Sequence, residues 1–407
     1  MPSHSILSYR PFRALLAAAC LDQFAASAMT VLLGFQVYAL TRNPLALGLL
    51  GLVEAAPGIT LVLYGGHIAD RHRRRRILLV TSTLLILLAT AFALLSYAGP
   101  SFAGLLLLGF LNGVVRAFDD PAASGLEAQV VPLAHVMQGV SLVAVATRSA
   151  RVLGPAVGGF AWDWLGPAGT YASIALLFCG STTALICIPE QPSPAPEHDG
   201  RNAAARIIEG VRYVWRDQVL LGSMALDLFA VFFGGATALL PVFATDILHI
   251  GPIGFGWLRA APAAGSLGSA LLAGRFLPQR HAGVALLGVI GGFGLSMVVF
   301  GLSRSLPLSL AALFVAGLCD GTSVVIRRAI LRLASPERLR GRIAAVKSLF
   351  VGSSNELGAF ESGMAAGLLG APAAVWGGGL ITVGIVAFTA WRAPRLRRLD
   401  LVRLAAT

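Results

Sequence analysis

The chain has 407 residues, of which 56% are hydrophobic and only 12% charged, and it carries a net charge of +12. No polar stretch is long enough for a separate soluble domain, so the composition is that of an integral membrane protein. The positive charge then marks loops facing anionic lipid and not a nucleic-acid surface. Of the 31 basic side chains the sole lysine is Lys347, which follows Val346. A P-loop needs Gly-Lys-Ser/Thr, so the chain is no ATPase. The four cysteines, Cys20, Cys179, Cys187 and Cys319, lie scattered in apolar segments without a Cys-x-x-Cys pair or clustered histidines, so no metal site is expected.

Taken in chain order, apolar segments fall at about 14–40, 46–68, 77–98, 102–123, 138–161, 168–188, 218–244, 253–275, 283–303, 307–330, 342–368 and 373–391. Each is near the length that crosses a bilayer as a helix, roughly 20 residues. They are numbered spans 1 to 12. Arg10 and Arg13 ahead of Ala14 resemble a signal peptide, but the apolar pattern runs on to Leu40 and reads as a first span. Between spans 2 and 3 stands Gly65-Gly66-His67-Ile68-Ala69-Asp70-Arg71-His72-Arg73-Arg74-Arg75-Arg76. Five arginines so close together belong in a turn in water, because each would cost several kcal/mol in hydrocarbon. Basic residues accumulate in cytoplasmic loops. Counting from that turn puts the linker and tail arginines on the same side, leaving Arg42 and Arg304 outside, with both termini cytoplasmic.

Four prolines in Pro189 to Gly200 mark a linker, followed by an amphipathic segment in which Arg206, Glu209, Arg212 and Arg216 alternate with apolar residues. The expected organisation is a six-helix half over 1–188, a cytoplasmic linker with an amphipathic helix over 189–217, a second six-helix half over 218–392 and a basic tail over 393–407. An internal repeat supports the division. Leu21-Asp22-Gln23-Phe24-Ala25 matches Leu226-Asp227-Leu228-Phe229-Ala230, and Gly51 to Pro57 matches Gly256 to Pro262, both at an offset of 205. The fold class is thus an all-α membrane protein of twelve transmembrane helices in two pseudo-symmetric six-helix halves, with a substrate site expected between them.

The turn resembles motif A of the major facilitator superfamily: Gly66, Ala69, Asp70, Arg71, Arg74 and Arg75 match, with Ile68 for Leu and Arg73 for a glycine. The resemblance implies that Asp70 faces the start of span 11 and clasps the two halves. The alternative is a turn that sets topology only. Span 5 carries Ala150 to Gly159, which resembles motif C of proton-coupled exporters with Gly154, Pro155, Gly158 and Gly159 in place. Its expected partner is the small-residue stripe Ala261, Ala264, Gly265, Gly268 and Ser269 of span 8, although ordinary packing gives similar patterns. A third motif, Arg-x-x-Gln-Gly in span 4, is broken: Gly109 and Asn112 stand where Arg and Gln belong, and the nearest basic residue is Arg116. That departure, together with Ser335 to Arg342 and Ser353 to Gly363, is similar to the branch of enterobactin exporters and macrolide efflux proteins.

Charges within the spans are the candidate site. Asp22 lies nine residues beyond Arg13, about 13 Å along a helix and so near the midplane, and the repeat sets Asp227 at the same depth. With Glu54, Arg148, Arg151, Arg259, Asn355 and Glu356 they form the expected proton-coupling and substrate cavity, with Glu361 as a further embedded charge. A fixed ion pair, such as Asp22 or Glu54 with Arg151, is the structural alternative. The family resemblance implies a proton-coupled secondary transporter exporting a small organic molecule, a siderophore or a drug, by alternating access. An uptake symporter and a non-transporting receptor or scaffold are the competing readings. No enzyme is expected, no nucleophile, base and orienting group being close together. No cofactor is expected beyond the proton gradient. The expected partners are a small-molecule substrate and membrane lipid but not nucleic acid, with a monomer in the bacterial cytoplasmic (inner) membrane.

Overall fold

Hydrocarbon offers backbone groups no water, so each N–H and C=O must be satisfied within its own segment and an apolar chain of this kind crosses as helices. The computed structural model describes residues 6–132, 135–191, 211–215, 217–234, 236–276, 280–334, 343 and 357–400. Among these, every regular element is helical. Span 1 is Arg10–Thr41, ended by Arg42 at φ 50°, and span 2 is Pro44–Arg71. Span 3 is Arg74–Ala98. Span 4 is Phe102–Val130, whose Ser101 cap accepts a hydrogen bond from the Gly104 amide at 3.2 Å. Span 8 is Gly251–Phe276, span 9 Ala282–Leu302, span 10 Leu306–Ala334 and span 12 Ala371–Arg392. Span 11 is described over Leu357–Leu369. Each of the twelve expected segments therefore falls on a helix where it is described, and the first part of span 11, up to 356, lies outside the described residues apart from Ile343.

Two segments depart from the expected outline. Spans 5 and 6 form one run, Val136–Ile186, without the loop expected near 161–168; a single residue, Gly166 at φ 67° and ψ 178°, turns the chain ahead of Pro167. That backbone conformation is essentially confined to glycine. Span 7 begins as a straight helix, Gln218–Gly234, and continues as a 3₁₀ turn at Ala236–Leu239, a short α turn at Leu240–Val242 and a π turn at Phe243–Ile247. Of the expected amphipathic linker helix, 211–215 is helical and the remainder lies outside the described residues.

The molecule consists of two compact units. The first contains Met1–Arg42, Leu52–His198 and Ile250–Ala260, and the second Asn43–Gly51, Asp199–His249 and Ala261–Thr407. The first turns of span 8 thus pack with the first unit, and those of span 2 with the second. In the first unit Phe12, Leu15, Leu78, Leu126, Val143 and Leu185 make a core at the arginine-turn ends of their spans. In the second, Leu220, Leu226, Leu286, Ile290, Ile326 and Leu396 pack into a core of their own. Lipid is as apolar as these side chains, so close packing and interhelical hydrogen bonds hold the helices together.

Candidate functional site

The arginine turn divides its work among its side chains. Arg74 reaches back to the Ala69 carbonyl at 3.3 Å and across to the Gly125 carbonyl at 2.9 Å, tying the turn to span 4. Arg75 donates to the carbonyls of Leu185 at 3.2 Å and Ile186 at 2.8 Å, capping the end of span 6 where unpaired carbonyls gather. Arg73 and Arg76 converge on Glu190 at 2.5 and 2.9 Å, fastening the first residues after span 6 to the same turn. The hydrogen bond from Arg73, and the charges of both arginines, hold the Glu190 carboxyl below the usual carboxylate range. Gly66 borders open space, Arg71 is exposed, and the side chain of Asp70 lies outside the described residues.

Deeper in the first unit, one guanidinium organises three helices. Nη1 of Arg116 lies 2.8 Å from Oδ2 of Asp22 on span 1 and 3.1 Å from Oδ2 of Asp119, one turn along span 4. Asp119 is only 5% exposed, and Thr81 of span 3 donates to its other oxygen at 2.5 Å. The ring of Phe178 from span 6 lies 5.6 Å from the Arg116 guanidinium carbon. Two carboxylates thus share one guanidinium nitrogen inside membrane-spanning helices.

The second unit carries the corresponding pair. Arg327 of span 10 meets Asp227 of span 7, and both are buried, at 6% and 8% exposure. Arg327 also donates to its own helix, to the Ser323 hydroxyl at 2.9 Å. A further carboxylate, Asp320, stands 3.9 Å away with its side chain 46% exposed. Each unit therefore joins its first helix to its fourth through an Asp–Arg pair, and among the described residues the second acid beside the arginine is buried in the first unit and half exposed in the second.

The pairing of Asp22 with Arg151 considered from the sequence does not occur. Arg151 is exposed and donates instead to Gln23 at 3.2 Å. Arg148 is half-buried and makes no ion pair among the described residues, and Glu54 and Arg259 are half-buried within spans 2 and 8. Asn355 and Glu356, with the stretch Ser335 to Arg342, lie outside the described residues. Sequence reasoning passed over Arg116, Asp119, Thr81 and Arg327. A signal was present: Arg116 follows Gly109 by two helical turns and so shares the face on which the motif's arginine is expected. The repeat could not supply Arg327, because the offset of 205 carries Arg116 to Gly321, six residues short.

The glycines of span 5 also contact other partners than expected. Gly154 packs on the Phe24 carbonyl of span 1, where an added Cβ would stand 2.7 Å away, and Gly158 on Leu32 and Ala28 of the same helix. Of the four motif positions Gly159 and Pro155 meet span 8: a Cβ on Gly159 would be 2.6 Å from the Pro252 carbonyl, and one on Gly256 would be 2.8 Å from that of Pro155. The small stripe of span 8 faces span 10 instead, Gly265 packing on the Phe314 carbonyl and Ser269 on Gly321. A helix with a small-residue face has room for two neighbours, and sequence spacing does not say which one takes it.

Known proteins match along nearly the whole chain. Its residues 15–359 fit the sequence pattern of the Major Facilitator Superfamily. The multidrug efflux pump Tap of Mycolicibacterium fortuitum is 27% identical over 361 residues, spanning 85% of this chain and 86% of Tap. The enterobactin exporter EntS of Citrobacter koseri is 24% identical over 402 residues, spanning 94% of this chain and 92% of EntS. A bacterial homologue of the human lysosomal transporter Spinster, solved in an inward-facing and unoccupied conformation, shares the fold with a TM-score of 0.71 at 17% identity over 98% of both chains. A POT family transporter does so with a TM-score of 0.76 at 12% identity over 95% of this chain and 96% of that one. Likeness at such identities speaks for fold alone, but the sequence pattern covers most of the chain, and the chain belongs to the Major Facilitator Superfamily.

Proposed function

We propose that this transporter exports a small organic molecule, a siderophore or drug-like compound, in exchange for protons. The chain is a multi-pass membrane transport protein and not an enzyme. Export is supported by the names of the two relatives above, a multidrug efflux pump and an enterobactin exporter. Coupling to protons is supported chiefly by one observation, the group of Asp22, Arg116 and Asp119 within membrane-spanning helices. Charges at such depth are expensive to keep and are found where ions or protons pass. In this reading the protein sits in the bacterial inner membrane with both termini in the cytoplasm, acts as a monomer and needs no cofactor beyond the gradient. Asp22, Glu54, Arg148, Arg151, Asp227, Arg259, Asn355 and Glu356 belong to the cavity that alternates between the two sides.

The test starts with cells carrying or lacking the gene, compared by untargeted metabolite analysis of medium and cytoplasm. The compound that differs is then supplied to inside-out vesicles. Gene-dependent loss from the cytoplasm, and vesicle uptake abolished by an ionophore that collapses the pH gradient, are expected. Gene-dependent accumulation inside cells would overturn export, and vesicle uptake indifferent to the ionophore would overturn proton coupling.

A further inference from the structure

We infer that Asp22 and Asp119 share a single exchangeable proton across Arg116, so that the proton site lies in the first unit and includes an acid on span 4. The inference rests on the proton-driven reading above and deepens it by naming the residues.

The argument begins from charge. Arg116 offers one positive charge, and its Nη1 stands between carboxylate oxygens of Asp22 at 2.8 Å and Asp119 at 3.1 Å. With both acids ionised the group is negative by one in a place poor in water, and two carboxylates held that close favour sharing one proton. The other groups around it do not remove the excess. Asp120, exposed on span 4, adds a further negative charge. Arg151 of span 5 is engaged with Gln23 at 3.2 Å. Spans 3 and 6 present Thr81 and Phe178, which do not titrate here.

Thr81 adds an independent reason to place the proton on Asp119. Its hydroxyl has two acceptors in reach, Oδ1 of Asp119 at 2.5 Å and the Leu78 carbonyl at 3.2 Å, but only one hydrogen to give. While Asp119 is ionised, the hydroxyl donates to it. Once a proton from water binds Oδ1, the carboxyl donates to the hydroxyl oxygen, whose own hydrogen turns to Leu78. Both protonation states are therefore hydrogen-bonded without moving a helix. On release the proton returns to water and the hydroxyl turns back; Arg116 stays charged throughout.

The second unit supplies the contrast. There Arg327 also has two carboxylates in reach, but only Asp227 is buried against it; Asp320 stands 3.9 Å away with its side chain 46% exposed. Water can screen the surplus charge on the half-exposed Asp320, whereas Asp119 in the first unit is almost wholly buried. The symmetry expected between Asp22 and Asp227 is thus one of position and not of role.

Infrared titration of the purified full-length protein in lipid reads this without a transported substrate. A protonated carboxyl has a C=O stretch separate from that of carboxylate, and the parent protein should gain one such band near neutral pH, before the exposed carboxyls take up protons on further acidification. Asp119→Asn should lose it. Asp22→Asn should lose it too, because the remaining acid then faces Arg116 one to one and stays ionised. Asp119→Glu should keep a band, which guards against loss through misfolding, as should Asp163→Asn on the exposed far end of span 5. Thr81→Val should move the band to higher frequency, an effect that a merely structural threonine would not have. A band unchanged in both Asp119→Asn and Asp22→Asn would overturn the shared site. Vesicle uptake by the parent protein that ignores the pH gradient would overturn proton-driven export instead, so the two failures are told apart.

Discussion

Arg327 and Asp227 meet almost out of reach of water, so each is tolerable only because the other is present. Removing one partner of a buried pair leaves an uncompensated charge, at a cost of about 3–5 kcal/mol. Asp227→Asn should therefore lower the melting temperature of the purified protein markedly, and Arg327→Gln should do likewise. The double variant should lose less than the two singles together, the sign of a direct interaction. The Glu190 clasp on the arginine turn behaves differently. Its carboxyl is held below the ordinary range by Arg73 and Arg76, so its contribution is present above the ordinary carboxylate value and disappears as pH falls through the lowered one. Glu190→Gln should melt slightly below the parent at pH 7, and the difference should close on acidification, since exposed pairs contribute little. Measured melting curves that diverge further at low pH would contradict the clasp. At this scale Asp22 was legible in the sequence because a lone acid in an apolar run has no neutral explanation. Its partner was not, because Arg116 stands two turns from the place the motif reserves for an arginine, and only folding shows that two turns keep the same face.

The helices themselves were legible almost entirely, since twelve apolar runs of bilayer length leave the backbone one way to satisfy its hydrogen bonds. Their neighbours were less so. Motif C names small residues without saying which side of span 5 meets which helix, and the contacts sort Gly158 toward span 1 and Gly159 toward span 8. The two positions should then fail differently. Gly158→Leu crowds Ala28 and Leu32 within the first unit and should reduce thermal stability. Gly159→Leu drives a side chain into the Pro252 carbonyl and Gly256, and should chiefly alter cysteine labelling of engineered sites at the start of span 8. Identical effects of the two variants on both measurements would remove the distinction. Gly166 makes a third case, because it alone turns span 5 into span 6. Gly166→Ala forces a side chain into backbone space nearly reserved for glycine and should destabilise the protein by roughly 1–3 kcal/mol.

At the scale of the whole molecule the proposed orientation in the membrane rests on the arginines. Spans 2 and 3 meet in a turn with five arginines in six residues, whereas the turn between spans 1 and 2 holds Arg42 alone. Positive charge in short loops resists export across the bilayer, and the topology proposed above therefore keeps the crowded turn in the cytoplasm with successive loops alternating from it. Such asymmetry can be read before any folding, yet the fold adds a reason for its strength. Arg74 and Arg75 are spent on carbonyls of spans 4 and 6, and Arg73 and Arg76 on Glu190, so the turn that directs insertion also closes the packing of the first unit. Alkaline phosphatase, active only outside the cytoplasm, should accordingly be active when fused after Arg42 or after Arg304 and silent when fused after Arg76. Replacing Arg73, Arg75 and Arg76 together with glutamine should weaken the bias, raising activity at the third junction while lowering it at the first, and should also lower thermal stability through loss of the carbonyl and Glu190 contacts. Activity after Arg76 with silence after Arg42 in the unaltered protein would invert the topology, and with it the direction in which the gradient drives the substrate.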